Sequence, residues 1–216
     1  HSPFGHKGEM VLNRLMKGHG GFEHNRQSLG VVEELEQKYP NFRGLNLTWE
    51  VREGLVKHFA LGKHPSRRTG FEAKQSSLEA QVANLADEIT YYSHDLDDGL
   101  DAELLSEKQL NREVEIWSQA ARSVKRDCGR LDDECRRYFV LRHIIDSQIK
   151  DVVKTSEGLI AAAGVTSADE VRLHSKPLIR YSEHRRKLNL ELRAFLYKNL
   201  YYNPVGHEPN QSALRM

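Results

Sequence analysis

The chain has 216 residues, enough to bury a sizeable core, and its 32 Lys and Arg against 31 Asp and Glu leave a formal net charge of +1. So even a balance supplies no global field for nucleic acid or an anionic membrane, and binding of anions has to be local. Apolar runs such as LIAAAGV fall far short of the roughly 20 residues that a membrane-spanning helix needs.

The chain opens HSPFGHKGE, a Pro-Phe-Gly turn between His1 and His6 with Glu9 three residues further on. The spacing predicts a first helix over about 6–18, on whose first turn the Glu9 carboxylate can orient the His6 imidazole, a pairing suited to a general base. His24, in FEHN, opens a second helix over about 22–39, and a third follows over about 46–60. GKHPSRRTGFEAKQSS then lacks hydrophobic period and reads as a mobile surface connection, with a substrate lid as its functional alternative. Further helices are predicted over about 76–99, 102–119, 130–157, 167–173 and 183–201. Between them lie Cys128 and Cys135, seven apart and without a second pair. That is neither a zinc spacing nor a secreted disulfide framework, so they read as reduced thiols of a cytoplasmic protein. Proline keeps to the edges of the periodic segments and no alternating strand pattern occurs, so the fold class is all-α.

SLEAQVANLADEITYYSHDLDDGL carries the most chemistry. At 100° per residue, Leu78, Val82, Leu85, Ile89 and Leu96 form an apolar flank. Asp87, Tyr91, His94, Asp95 and Asp98 share a polar stripe on the same helix. Three carboxylates on one stripe repel one another unless a metal or a basic neighbour faces them, and the competing reading is a solvated acidic face.

Four segments resemble the HD-domain deoxynucleoside triphosphate triphosphohydrolases, the family of deoxyguanosinetriphosphate triphosphohydrolase. They are HSPFGHKGE, GGFEHNRQSL, FRGLNLTWEVREGLVKH and SLEAQVANLADEITYYSHDLDDGL, in the family's order over residues 1 to about 100. RRYFVLRHIIDSQIKDVV and FLYKNLYYNPV resemble it more weakly. The resemblance implies an HD-domain helical bundle, with 1–100 as part of the catalytic core and 101–216 as a helical continuation of the same domain. It also implies a divalent cation, Mg²⁺ or Mn²⁺, held by two histidines and two aspartates. The first His and the HD dipeptide would precede His1. The chain is thus expected to begin after them, to keep Asp87 as its single metal ligand, to be inactive alone, and to stop short at its C-terminus. His94-Asp95 is a decoy for the HD pair, lying after the last ligand.

By the same resemblance, His6 and Glu9 handle the proton of the attacking water or the leaving group, while His1 and His24 line the phosphate pocket. Tyr91 packs on the deoxyribose, excluding a 2′-hydroxyl, and Asp95 contacts the 3′-hydroxyl. Lys57, Arg136, Arg137 and Arg142, with Tyr138 nearby, are the candidates to face the triphosphate, although Arg137 and Arg142 cannot both point fully inward from one helix. The implied reaction is attack of water on the α-phosphate of a dNTP, releasing deoxynucleoside and triphosphate. A dNTP or single-stranded DNA effector and a homo-oligomer are further implications. Two other readings stand beside it: another HD-type phosphohydrolase, and a non-enzymatic helical module binding nucleic acid through Arg67 and Arg68.

Overall fold

The computed structural model of the chain describes residues 5–57 and 74–203, apart from the side chains of residues 5–7 and 57. His1, the side chains of His6 and Lys57, and the basic stretch with Arg67 and Arg68 therefore lie outside the described residues.

The described residues form helices and no strand, as the sequence predicts. In chain order they are α1 (Gly5–Leu15), α2 (His24–Gly30), α3 (Trp49–Lys57), α4 (Leu78–Asp101), α5 (Glu107–Glu113), α6 (Glu115–Cys128), α7 (Asp133–Ala163), α8 (Ala168–Leu173) and α9 (Glu183–Leu196). α2 runs on into a π-helical turn over Val31–Leu35, and α9 into another over Tyr197–Tyr201. The helix expected over about 102–119 is two helices. Val114, buried to 1 %, takes an extended conformation (φ −130°, ψ 102°) between α5 and α6.

Among the described residues the chain divides into two compact units, the first running to Asn84 with Val165–Pro177 and the second comprising Leu85–Gly164 with the stretch from Leu178 to Asn203. The first unit is organised around an ion pair. Glu53 of α3 is fully buried, and its two carboxylate oxygens each accept from Arg172 of α8 at 3.2 Å. The Arg172 guanidinium also lies 4.2 Å from the centroid of the Trp49 ring. A planar fork that binds a carboxylate with two hydrogen bonds and stacks on an aromatic face is an arginine's geometry, not a lysine's.

The second unit has the larger apolar interior. Leu110 and Val114, Ile116, Trp117, Ala120 and Val124 of α6, and Val140, Leu141 and Ile144 of α7 pack with Leu188, Leu192, Phe195 and Leu196 of α9. Trp117 and Leu192 are completely buried. α7 begins at Asp132, whose carboxylate caps the Cys135 amide at 2.8 Å, and ends at Gly164 in the left-handed conformation. Cys128 and Cys135 are free and exposed.

The apolar flank predicted for α4 is partly corrected. Ile89 and Leu96 are buried, but Val82 is 50 % exposed while Gln81 is buried in its place. The Gln81 amide donates to the Ser76 carbonyl at 2.9 Å, so the helix turns a satisfied polar residue inward at its start.

Candidate functional site

Two groups of the predicted residues are brought together, one in each unit. In the first unit, α1 ends near Met16 and the chain reverses through Gly20 and Gly21, both with positive φ. The Phe22 amide donates to Asn13 Oδ1 at 3.0 Å, and a Cβ on Gly21 would stand 2.5 Å from that oxygen. The reversal brings the N-terminus of α2 back beside α1. There Glu9 Oε1 accepts from both the His24 backbone N–H and its ring Nδ1, each at 2.9 Å, and Glu9 Oε2 stands 3.0 Å from the same Nδ1. The carboxylate of Glu23 takes the next two free amides, those of Asn25 (3.0 Å) and Arg26 (2.8 Å). Two carboxylates at the positive end of a helix satisfy amides that the helix itself cannot.

The sequence pairs Glu9 with His6, whose side chain lies outside the described residues; the structure shows the Glu9 carboxylate on the His24 ring. Their side chains are 15 % and 26 % exposed. Nδ1–H donation to a carboxylate fixes the tautomer and orients the ring. Among the described residues, Glu9, Glu23 and His24 are also the one set of three ligating side chains with donor atoms within 4.8 Å of one another. Their closeness follows from capping and orienting the first turn of α2.

The second group lies on α4 and the end of α9. Asp87, His94 and Asp98 are exposed, Tyr91 is 51 % exposed, and Asp95 is half-buried. The stripe is therefore an open face of α4. Tyr91 and Tyr201 stack with ring centroids 6.1 Å apart, Tyr197 meets Tyr201 edge-on at 5.0 Å, and the Tyr201 hydroxyl donates to Asp95. Burial, with the Asp98 charge adding to it and His94 opposing, pushes the Asp95 carboxyl up to about 6. Burial also raises the phenols of Tyr91 and Tyr92, the latter to about 12, so both rings keep their protons near neutrality.

The expected phosphate cations are placed otherwise. Arg137 bridges Asp97 (3.3 Å) and Asp101 (2.6 Å) of α4, and Arg136 binds Glu107 and Asp133. Arg142 is exposed, and Tyr138, 60 % exposed, meets Phe139 edge-on. The cation beside the tyrosines is Arg193, which the sequence reading missed. Its guanidinium lies 5.5 Å from the Tyr197 centroid, and its charge acts on Tyr91, Tyr92 and Glu88. With Leu190, Ala194 and Tyr197 it lines an open depression of about 370 Å³. The signal was in LRAFLYKNLYY: Arg193, Tyr197 and Tyr201 stand four apart, one helical face.

Asp87 offers one exposed carboxylate and belongs to no set of three ligating side chains among the described residues. A divalent cation needs several oxygen or imidazole ligands, so the described residues do not by themselves fit a metal around Asp87.

The chain is similar to curated proteins named deoxyguanosinetriphosphate triphosphohydrolase-like protein. It is 42 % identical over 203 residues to the one from Geobacter sulfurreducens, covering 93 % of this chain and 52 % of that protein. The identity is 44 % over 205 residues with the Thiobacillus denitrificans protein, at 93 % and 54 % coverage, and 38 % over 218 residues with that of Bartonella henselae, at 94 % and 54 %. The chain spans about half the length of the curated relatives it matches. No protein-family model matches it.

Proposed function

We propose, from a chain that is a homologue of the deoxyguanosinetriphosphate triphosphohydrolase-like proteins over 93 % of its length, that it forms part of a dNTP triphosphohydrolase. That extent of identity is the observation that carries the reading. In it, water attacks the α-phosphorus of a deoxynucleoside triphosphate, the bond to the 5′-oxygen breaks, and deoxynucleoside and inorganic triphosphate leave.

The residues of this chain have separate tasks. Glu9 orients the His24 ring, which meets the phosphate or passes a proton, and His6 on α1 shares the proton transfer. Tyr91, backed by Tyr201, presents a ring face to the deoxyribose. Asp95 is largely ionised at pH 7, given its value of about 6, and accepts from a sugar hydroxyl. Arg193 replaces Arg137 and Arg142 as the cation for the triphosphate, because Arg137 already serves two aspartates. Asp87 would be one ligand of a Mg²⁺ or Mn²⁺ ion, which would supply stabilisation of charge on the phosphate oxygens.

Phosphorus NMR of dGTP with Mn²⁺ tests the reading, run on the 216-residue chain and on a form extended N-terminally through the first His and the His-Asp dipeptide. Tripolyphosphate is expected from the extended form alone. Orthophosphate or pyrophosphate instead would point to another HD-type phosphohydrolase, and absence of product from both would overturn the reading.

A further inference from the structure

A second cleft, distinct from the tyrosine face, lies in the second unit among α6, α7 and the first turn of α9. It has a volume of about 120 Å³ and is lined by Ile116, Gln119, Ala120, Ser123, His143, Ser147 and Arg185. The lining is mostly polar. The Arg185 Nε is shielded from solvent and has no hydrogen-bond partner, and among the described residues no carboxylate lies within ion-pair distance of its guanidinium. The acids nearby are already engaged. Asp151 accepts from the Ser182 amide (2.8 Å) and hydroxyl (2.6 Å), Asp127 holds Arg126 at 2.8 Å, and Asp146 holds Lys150 at 2.7 Å. Glu115 is occupied by Arg122, Gln119 and Ser118.

A guanidinium donor turned away from water with nothing to receive it costs free energy. Burial accordingly pulls the Arg185 pKa down, against the more distant Asp151. An arginine in a small polar cleft with a hydroxyl and an imidazole is matched by a tetrahedral oxyanion, which can take several donors at once.

We propose that this cleft binds a phosphate group, with Arg185 as its charge partner and His143 and Ser123 as further donors. The volume holds one phosphate and no nucleoside, so the ligand is inorganic phosphate or the phosphate of an ester whose organic part remains outside. Because the three helices meet there, occupancy stabilises the second unit. The proposal does not depend on the hydrolytic reading, since it concerns binding without nucleotide.

The test is thermal unfolding of the protein titrated with sodium phosphate against sodium chloride at constant ionic strength. A rise in Tm is expected that grows with the logarithm of phosphate concentration above the Kd, about 3 °C at roughly ten times the Kd. Phosphate also stabilises proteins by exclusion from their surface, in proportion to its concentration, and that linear background serves as the control. Arg185→Gln should lose the logarithmic part and keep the background. Should that variant not fold, Ser123→Leu, which fills the cleft from α6 and leaves Arg185 intact, should lose it likewise. Glycerol phosphate in place of inorganic phosphate separates the two sources: the one whose logarithmic rise sets in at the lower concentration is the ligand class. A wild-type response that is linear throughout, or a logarithmic response undiminished in either folded variant, overturns the proposal.

Discussion

Asp95 shows how one side chain's surroundings outweigh its sequence context. A carboxyl held at about 6 in the folded chain against 3.8 ordinarily binds its proton more tightly when folded. Stability from this group is therefore greatest below about pH 4, falls as pH rises towards 6, and its cost is complete above that. Asp95→Asn should flatten the stability profile between pH 4 and 6 and raise stability at pH 7 by about 1 kcal/mol, a figure already reduced for the group's half exposure. Urea unfolding at pH 4, 5, 6 and 7 measures it, and an unchanged slope would contradict the assignment. Glu53 is the opposite case, a buried carboxylate with its partner in place. Glu53→Ala leaves the Arg172 charge in the interior without its fork partner, and about 3–5 kcal/mol of stability should be lost, readable by the same denaturation. Neither burial was legible in the sequence, since Glu53 sits in WEVREGLVK among residues of ordinary helix composition.

At the scale of elements, periodicity located the helices and left their interruptions hidden. The α5–α6 break occurs at Val114 because burying that side chain to 1 % in the core outweighs continuing the helix, a tertiary term that no local propensity contains. The polar stripe of α4 was correctly grouped by its angle, but angle cannot say whether a stripe faces solvent or a neighbour. At Gly99, α4 closely approaches other segments: a Cβ there would stand 2.7 Å from Leu105 Cδ1 and 3.3 Å from Leu200 Cδ1. Gly99→Ala should thus destabilise the second unit, because overpacking of about 1–3 kcal/mol exceeds the ~0.5–1 kcal/mol that alanine gains in a helix. Differential scanning calorimetry would show a lowered transition; a raised one would mean that Leu105 can yield.

For the whole molecule, function rests on homology extending over 93 % of the chain and about half the length of its relatives. If Tyr91 lies against the sugar in the reaction proposed, Tyr91→Ala in the extended protein should lower the ratio of kcat/KM for dGTP to that for GTP, by about tenfold for a lost steric exclusion of ~1.4 kcal/mol. An unchanged ratio would remove Tyr91 from sugar recognition while leaving the reaction class intact. No described helix is long and apolar enough to cross a membrane, in keeping with the short apolar runs.

The sequence by itself determined the all-α class, the position of most helices, and the family resemblance that the comparisons bear out. Helical periodicity and ordered motifs are local in the chain, so they can be read along it. Tertiary structure decided the partners. It turned Glu9 to His24 through a glycine reversal, bound Arg137 to two aspartates, brought Tyr201 onto Asp95 across 106 residues of sequence, and put Arg193 beside the tyrosines. Burial, ion pairing and stacking depend on which residues the fold makes neighbours, and that information is not local to any segment.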